Sequence, residues 1–123
     1  MKLRLRGNSL RLRLTRNEVC RLAEVGLVEE SVVFGGGTGS ILMYRVRSGE
    51  SDDATHNAGR IDVVVRSAAV REWADGTAEG IYFETGPGLR VAVEKDFRCL
   101  APRDGEDDSD AFEHPDGPPA CGV

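Results

Sequence analysis

Residues 15–23 read TRNEVCRLA, and residues 66–74 read RSAAVREWA. Both stretches carry apolar residues at the same three offsets, with the spacing of one face of a short helix. The matched positions are Val19 with Val70, Leu22 with Trp73, and Ala23 with Ala74. We therefore predict two equivalent helices, with Leu22 and Trp73 as the core residues that anchor each helix on a sheet.

The segments after the two helices correspond as well. Each contains a strand-like run, a glycine-rich connection and a second run, at 32–34 and 41–44 in one case and 81–83 and 89–93 in the other. When a unit of one strand, one helix and two strands occurs twice, the two halves of the chain can enclose one core between them. The predicted fold is mostly β with two short helices (α+β), a single-chain pseudo-dimer of two βαββ repeats forming a small barrel. The repeats span about 1–48 and 54–96, within one domain of residues 1–100.

The first residues alternate leucine with basic side chains. In 2–6 and 9–14 the leucines fall on one face and Lys or Arg on the other, the period of two expected of half-buried strands. Gly7 and Asn8, which tolerate left-handed backbone angles, interrupt the alternation. This pattern predicts a hairpin.

Polar residues mark where each helix begins and ends. Thr15, with Glu18 three residues later, has the pattern of a capping box. Ser67 is the predicted cap of the second helix. Gly26 and Gly76 are the predicted stops, because glycine adopts the left-handed conformation that often follows a helix.

Length and composition place the chain among ordinary globular proteins. At 123 residues and a net charge of -5, it is predicted to form one domain. It lacks both an apolar run of membrane-spanning length and the continuous apolar segment of a secretory signal, which predicts a cytoplasmic protein with no membrane partner. Three widely spaced cysteines, Cys20, Cys99 and Cys121, favour reduced thiols over a disulfide framework.

Charge is distributed unevenly along the chain. The first 22 residues carry one acid, Glu18, and the bases Lys2, Arg4, Arg6, Arg11, Arg13, Arg16 and Arg21. The tail, residues 101–123, is rich in Pro, Gly and acids, so it is predicted to be extended or disordered unless it docks. Charge complementarity further predicts that its acidic segment 104–116 lies loosely over the basic strands.

The basic strands supply the candidate binding site. Lys and Arg that contact phosphates release condensed counterions, which gives salt-dependent affinity for polyanions. The candidate residues are Arg4, Arg6, Asn8, Arg11, Arg13 and Arg16. The alternative is an ordinary solvated sheet face, which the acidic net charge favours because nucleic-acid modules are usually basic.

Other patterns in the sequence have simpler interpretations than a functional site. The glycines of 35–39 suit a hairpin connection better than a phosphate loop, because no helix is predicted directly after them. Cys99, His114 and Cys121 could hold zinc, but their spacing matches no compact zinc motif, and whether they meet stays open. No catalytic constellation is recognisable. The sequence therefore predicts no enzyme, metal or cofactor.

The first hairpin resembles the AbrB/MazE class of swapped-hairpin DNA-binding domains. The resemblance rests on residues 6–16, RGNSLRLRLTR, followed by the start of a helix. The resemblance implies interlocked strand–helix–strand units that form one barrel. It also implies that basic residues of the hairpin contact DNA. The matching positions are Gly7, Asn8, Ser9 and Arg13, with Arg16 in place of a lysine. Arg6 stands where the class often has an aromatic residue, and Thr15 replaces its proline.

A second resemblance covers the whole chain, including EKDFRCL at 94–100 and DAFEHP at 110–115. These segments are similar to members of a small bacterial family of unknown function, which implies no activity. The predicted function is a non-enzymatic cytoplasmic binding or regulatory protein whose ligand and partner are unknown, with a nucleic acid and a protein as the candidate partners. The alternative is an AbrB/MazE-like DNA-binding regulator or antitoxin-like protein.

Overall fold

Eight strands and two helices make up the described part of the computed structural model, which comprises residues 1–36, 39–97, 110–112 and 119–121. The first half contains β1 (Lys2–Leu5), β2 (Ser9–Leu14), α1 (Arg16–Glu24), β3 (Leu27–Val33) and β4 (Ile41–Gly49). The second contains β5 (Asp53–Asn57), β6 (Arg60–Arg66), α2 (Ser67–Asp75), β7 (Gly80–Thr85) and β8 (Leu89–Lys95). Neither helix is long and apolar enough to cross a membrane.

The strands form two four-stranded sheets. The first sheet has the order β1-β2-β8-β7 and the second β3-β4-β6-β5. In both, the central pair is parallel and the outer pairs are antiparallel hairpins. Each sheet thus combines one hairpin from each half of the chain. This confirms a mostly β, α+β fold with two helices. The predicted βαββ unit is one strand too short, because each helix follows a two-stranded hairpin.

The predicted closed barrel is wrong for the described residues. Each sheet ends in two edge strands, and the edges of the two sheets approach each other through side chains rather than a backbone ladder. At one side the amino group of Met1 donates to Glu30 (2.6 Å), and at the other the Thr85 hydroxyl donates to Asp53 (3.0 Å). A barrel requires continuous backbone pairing around its circumference, which these contacts do not supply.

Two predicted hairpin connections are confirmed. Gly7, with a φ of 55°, lies in the β1–β2 turn, which the paired backbone groups of Arg6 and Ser9 close. The glycine-rich segment 35–39 joins the antiparallel strands β3 and β4. A strand follows it, not a helix, so the phosphate-loop alternative does not apply.

One helix cap follows the prediction and the other does not. The Thr15 hydroxyl accepts a hydrogen bond from the Glu18 backbone N–H, and the Glu18 carboxylate accepts one from the Thr15 N–H (2.9 Å). Ser67 is instead the first residue of α2, after the capping residue Arg66. Its hydroxyl donates to the Gly49 carbonyl (3.1 Å), so it joins the helix to β4 instead of capping it.

The core lies between the sheets and beneath the helices. Leu22 and Trp73, the predicted anchors, are 0% and 1% exposed, and the Trp73 indole N–H donates to the Glu79 carbonyl (3.2 Å). Alternate residues of the central strands surround them, namely Leu10, Leu12, Leu14, Tyr44, Val46, Ile61, Val63, Val65, Val91 and Val93. The period-two pattern therefore identified the inner face of β2, and the helical pattern identified those of α1 and α2. Leu5, predicted on the inner face of β1, is 61% exposed.

Part of the C-terminal tail docks on this core. Phe112 is 3% exposed and meets the Phe97 ring edge-on at 5.8 Å. Its backbone N–H donates to the Asp96 carbonyl (2.8 Å), and the Arg16 N–H donates to the Asp110 carbonyl (3.0 Å). The prediction that the acidic segment covers the basic strands falls mostly outside the described residues; residues 110–112 pack at the end of β8 and the start of α1 instead.

A second tail segment, residues 119–121, packs against the two helices. The Ala120 N–H donates to the Ala74 carbonyl (3.3 Å), and Cys121 forms a disulfide with Cys20, with Cα atoms 5.2 Å apart. The prediction of reduced thiols is therefore wrong for this pair. A sequence separation of 101 residues hid the proximity that the fold creates. Cys99 and His114 lie outside the described residues.

Candidate polyanion-binding face

The outward side chains of β1 and β2 form a basic face, defined here as Lys2, Arg4, Arg11 and Arg13. The leucines between them point inward, and those of β2 are at most 5% exposed. The antiparallel register places Lys2 opposite Arg13 and Arg4 opposite Arg11. In both outward-facing cross-strand pairs of this hairpin, one basic side chain therefore lies opposite another.

Like charges directly opposite each other on neighbouring strands destabilise a sheet. Two acids offset part of this repulsion: Glu94 on β8 pairs with Arg11 (3.1 Å) and Arg13 (3.7 Å), and Asp96 pairs with Lys2 (3.2 Å). Arg4 has no ion-pair partner among the described residues, and neither has Arg6 in the adjoining turn. The face therefore keeps excess positive charge around Arg4.

Two shallow clefts lie on the basic face. One, of about 240 Å³, is lined by Arg4, Arg6, Ser9 and Arg11. The other, of about 150 Å³, is lined by Lys2, Arg4, Arg11 and Arg13. Arg4 and Arg11 line both clefts, so an anion in either one would contact the same two guanidinium groups.

Strands from the second half extend this surface with residues that the sequence did not indicate. The parallel pairing of β2 with β8 places Arg90 beside Ser9, and β7 adds Tyr82. Arg11, Tyr82 and Arg90 line a hollow of about 560 Å³, together with Glu84, which lies opposite Arg90 on β7. No local pattern signals this contribution, because it depends on the pairing of strands that are far apart in the sequence.

Tyr82 presents an aromatic ring to solvent, with 59% of the residue exposed. Its hydroxyl donates to the Glu94 carboxylate (2.7 Å). Partial burial and this hydrogen bond raise the pKa of Tyr82 to about 12, so the phenol stays neutral at physiological pH. The ring thus adds a flat, uncharged surface next to the arginines.

The structure brings most of the predicted site residues together. Asn8 lies in the turn beside Arg6, where its carbonyl accepts a hydrogen bond from the Arg90 N–H (3.1 Å). Arg16 lies apart, in the first turn of α1, with its guanidinium 5.8 Å from the centre of the Phe112 ring. It lines neither cleft. We therefore assign Arg16 to the docking of the tail.

On the outer face of the second sheet, two arginines share one acidic partner. Asp62 on β6 accepts hydrogen bonds from the Nε atoms of Arg45 (2.9 Å) and Arg47 (3.2 Å) on β4. Partial burial alone would raise the pKa of Asp62, but these hydrogen bonds and charges outweigh it, so the pKa lies below its ordinary value. Here the arginines are paired within the fold, whereas Arg4 is not.

We expect the contribution of Asp62 to stability to disappear in acid. A carboxyl group whose pKa is lower in the folded protein stabilises it above the unfolded value of about 3.9. That stabilisation is lost as the pH falls through the folded value. Chemical unfolding of wild type and Asp62→Asn should therefore differ by about 1 kcal/mol near neutral pH, and the difference should shrink as the pH falls below the unfolded value and through the folded one. A difference independent of pH would contradict the ion pairing.

Comparison with known proteins yields one match. The model described as Family of unknown function (DUF7009) matches residues 1–116. No curated protein and no solved structure matches the chain. The AbrB/MazE resemblance and the bacterial origin therefore stay predictions from sequence. Because the match covers most of the 123 residues, the chain belongs to DUF7009, a family of unknown function.

Proposed function

We propose that this chain is a non-enzymatic binding protein that holds a nucleic acid, through its phosphate backbone, on the basic face. The observation that carries the proposal is the pairing of Arg4 with Arg11 directly across the hairpin. Glu94 offsets part of the repulsion at Arg11, and the remainder, centred on Arg4, costs stability in the free protein. A bound phosphate would remove the repulsion and replace it with charge-assisted hydrogen bonds.

Arginine suits this role better than lysine. Its planar guanidinium presents several donors in a fixed fork that matches two phosphate oxygens at once. Because Arg4 has no acidic partner among the described residues, no protein ion pair has to break before a phosphate binds it. The exposed ring of Tyr82 adds a surface on which an unpaired base can stack.

The architecture also supports a proposal about symmetry, in which a pseudo-two-fold axis relates the two halves of the chain. Hairpin, helix and hairpin follow each other twice along the chain, and each sheet takes one hairpin from each half. We infer a single-chain pseudo-dimer with exchanged hairpins, as the AbrB/MazE resemblance implies. The hairpin equivalent to β1–β2 is β5–β6, which carries Asp62, so the proposed protein has one basic surface per chain.

Binding to DNA at several salt concentrations tests the proposal. A labelled duplex and a single strand of the same length should both bind at low salt, with affinity that falls as salt rises. Replacing Arg4 and Arg11 together by glutamine should reduce the slope of log affinity against log salt for the duplex by about 2, because two phosphate contacts are lost. Fluorescence anisotropy would provide both affinity and slope.

A matched control is available on the helices. Arg21→Gln with Arg71→Gln removes the same charge from two exposed positions away from the basic face. This variant should keep the wild-type slope. Equal slopes for the two double variants would mean that binding reflects net charge alone, and absence of binding at low salt would leave the basic strands as a solvated face.

A further inference from the structure

A second cluster of reactive side chains lies away from the basic face, where α1 meets the C-terminal segment. Cys20, Glu24 and Cys121 place their Sγ and carboxylate atoms within 4.8 Å of one another. Cys20 and Cys121 are half-buried and Glu24 is exposed. These three residues, called here the thiol cluster, are therefore both close together and open to solvent.

Helix geometry accounts for the position of Glu24. Residues four apart on an α-helix are neighbours on the same face, so Cys20 and Glu24 project together from the last two turns of α1. Cys121 approaches this face from another part of the chain. A pair of ligands at that helical spacing, completed by one ligand from elsewhere, is an arrangement that metal sites in proteins use.

Contacts other than the disulfide also hold Cys121 near Cys20. Ala120 is 9% exposed and its N–H bonds to the Ala74 carbonyl at the end of α2. Phe112, earlier in the tail, is buried against Phe97 and the start of α1. These anchors do not involve the sulfur atoms, so we expect residue 121 to stay beside α1 when the disulfide is reduced. Reduction would therefore produce two thiols that are already close together.

We propose that the thiol cluster is a redox-dependent binding site for a thiophilic divalent cation, with zinc as the natural choice. In the oxidised protein both sulfurs are used in the S–S bond. A dithiol reductant would supply two electrons and two protons, break that bond to give two S–H groups, and become a disulfide itself. On binding, both thiols lose their protons to solvent and form sulfur–metal bonds, and the Glu24 carboxylate adds an oxygen ligand.

The distances suit this cation. Sulfur lies about 2.3 Å from zinc, so two sulfurs on a tetrahedral ion are roughly 3.8 Å apart. The atoms of the thiol cluster need only modest side-chain movement to reach that spacing. Thiolates select soft and borderline ions such as zinc over calcium or magnesium. Three protein ligands leave a fourth position for water.

Cobalt(II), used as a spectroscopic probe in place of zinc, tests the site. The full chain with Cys99→Ser, which leaves only the two clustered thiols, is reduced and titrated with cobalt under nitrogen. We expect one equivalent to produce a thiolate-to-cobalt charge-transfer band that zinc then removes. The same protein in its disulfide form should produce no band.

Substitutions identify the ligands. Cys121→Ser should abolish the band, and Glu24→Gln should weaken cobalt binding at least as much as the roughly 10- to 100-fold loss typical of an outer-shell change. Asp75→Asn is the matched control, because Asp75 ends α2 as Glu24 ends α1, and no cysteine lies at its (i−4) position. It should bind cobalt like the parent.

Three results would overturn the proposal. They are a reduced parent without the band, a band that survives Cys121→Ser, and equal cobalt affinities for Glu24→Gln and Asp75→Asn. Since Glu24 is exposed, its substitution should leave the fold intact, which far-ultraviolet circular dichroism would verify. Equal cobalt affinities for Glu24→Gln and Asp75→Asn would remove Glu24 from the ligand set and reject the site as stated.

Discussion

Replacing Trp73 by alanine is expected to lower the free energy of unfolding by about 3 to 5 kcal/mol, the usual range for removing a fully buried aromatic side chain. The indole is 1% exposed and lies in the core cluster on the inner side of α2. Its removal leaves a cavity, and the Glu79 carbonyl loses its hydrogen bond from the ring. Because small domains are stable by only about 5 to 15 kcal/mol, a large fraction of the protein should unfold at moderate urea concentrations.

Two further variants separate packing from hydrogen bonding and from helix propensity. Trp73→Phe keeps most of the packing and loses the hydrogen bond, so it should be less destabilising than Trp73→Ala. Arg71→Ala changes an exposed position of the same helix and should alter stability by less than about 0.5 kcal/mol. A loss below about 1 kcal/mol for Trp73→Ala would mean that the indole is not part of the core.

The second large effect concerns the docking of the tail. Phe112→Ala is expected to cost about 3 kcal/mol, at the lower end of the range for buried phenylalanine. The ring packs on Phe97, and the cationic groups of Arg16 and Lys95 lie 5.8 and 5.4 Å from its centre. Equilibrium unfolding in urea would measure the loss. Limited proteolysis of the folded variant should show faster cleavage within residues 98–118, because that segment has lost an anchor.

Phe34→Ala provides the same chemical change at a position that is 55% exposed. It should leave stability within about 0.5 kcal/mol of wild type and proteolysis of the tail unchanged. If the two phenylalanine variants have equal stabilities, Phe112 contributes no more than a surface residue. The tail would then not be part of the folded core.

The elements whose structure depends on residues close together in the sequence were predictable. Alternating leucines specified the inner face of β2, and Thr15 with Glu18 specified the start of α1. Ser67 was wrongly predicted as the cap of α2 because the helix begins one residue earlier than expected. Arg66 is therefore the capping residue, and Ser67 is the first residue of the helix. The closed barrel was an extrapolation from the repeat. Apolar periodicity identifies which face of a strand is buried, but not whether two sheet edges join.

The candidate sites were predictable to different extents. The arginines of the basic face share two adjacent strands, so their alternation alone placed Arg4 and Arg11 together. Arg90 and Tyr82 arrive through the parallel pairing of β2 with β8, which no local pattern encodes. Phe112 was overlooked because its neighbours are acidic and the composition of the whole segment indicated disorder. The proximity of Cys20 and Cys121 follows from that docking.

Each sheet contains one hairpin from each half of the chain, and this has a consequence for the order in which the protein can fold. Ser9 pairs with Arg90, so the centre of the first sheet joins residues from opposite ends of the chain. Such distant contacts slow folding, and during synthesis β2 must wait for β8 to leave the ribosome. Throughout that interval β2 has an unpaired edge that could join another nascent chain. Closely spaced arginines would repel a second copy of the same strand, so we expect the basic alternation to oppose aggregation of the nascent chain as well.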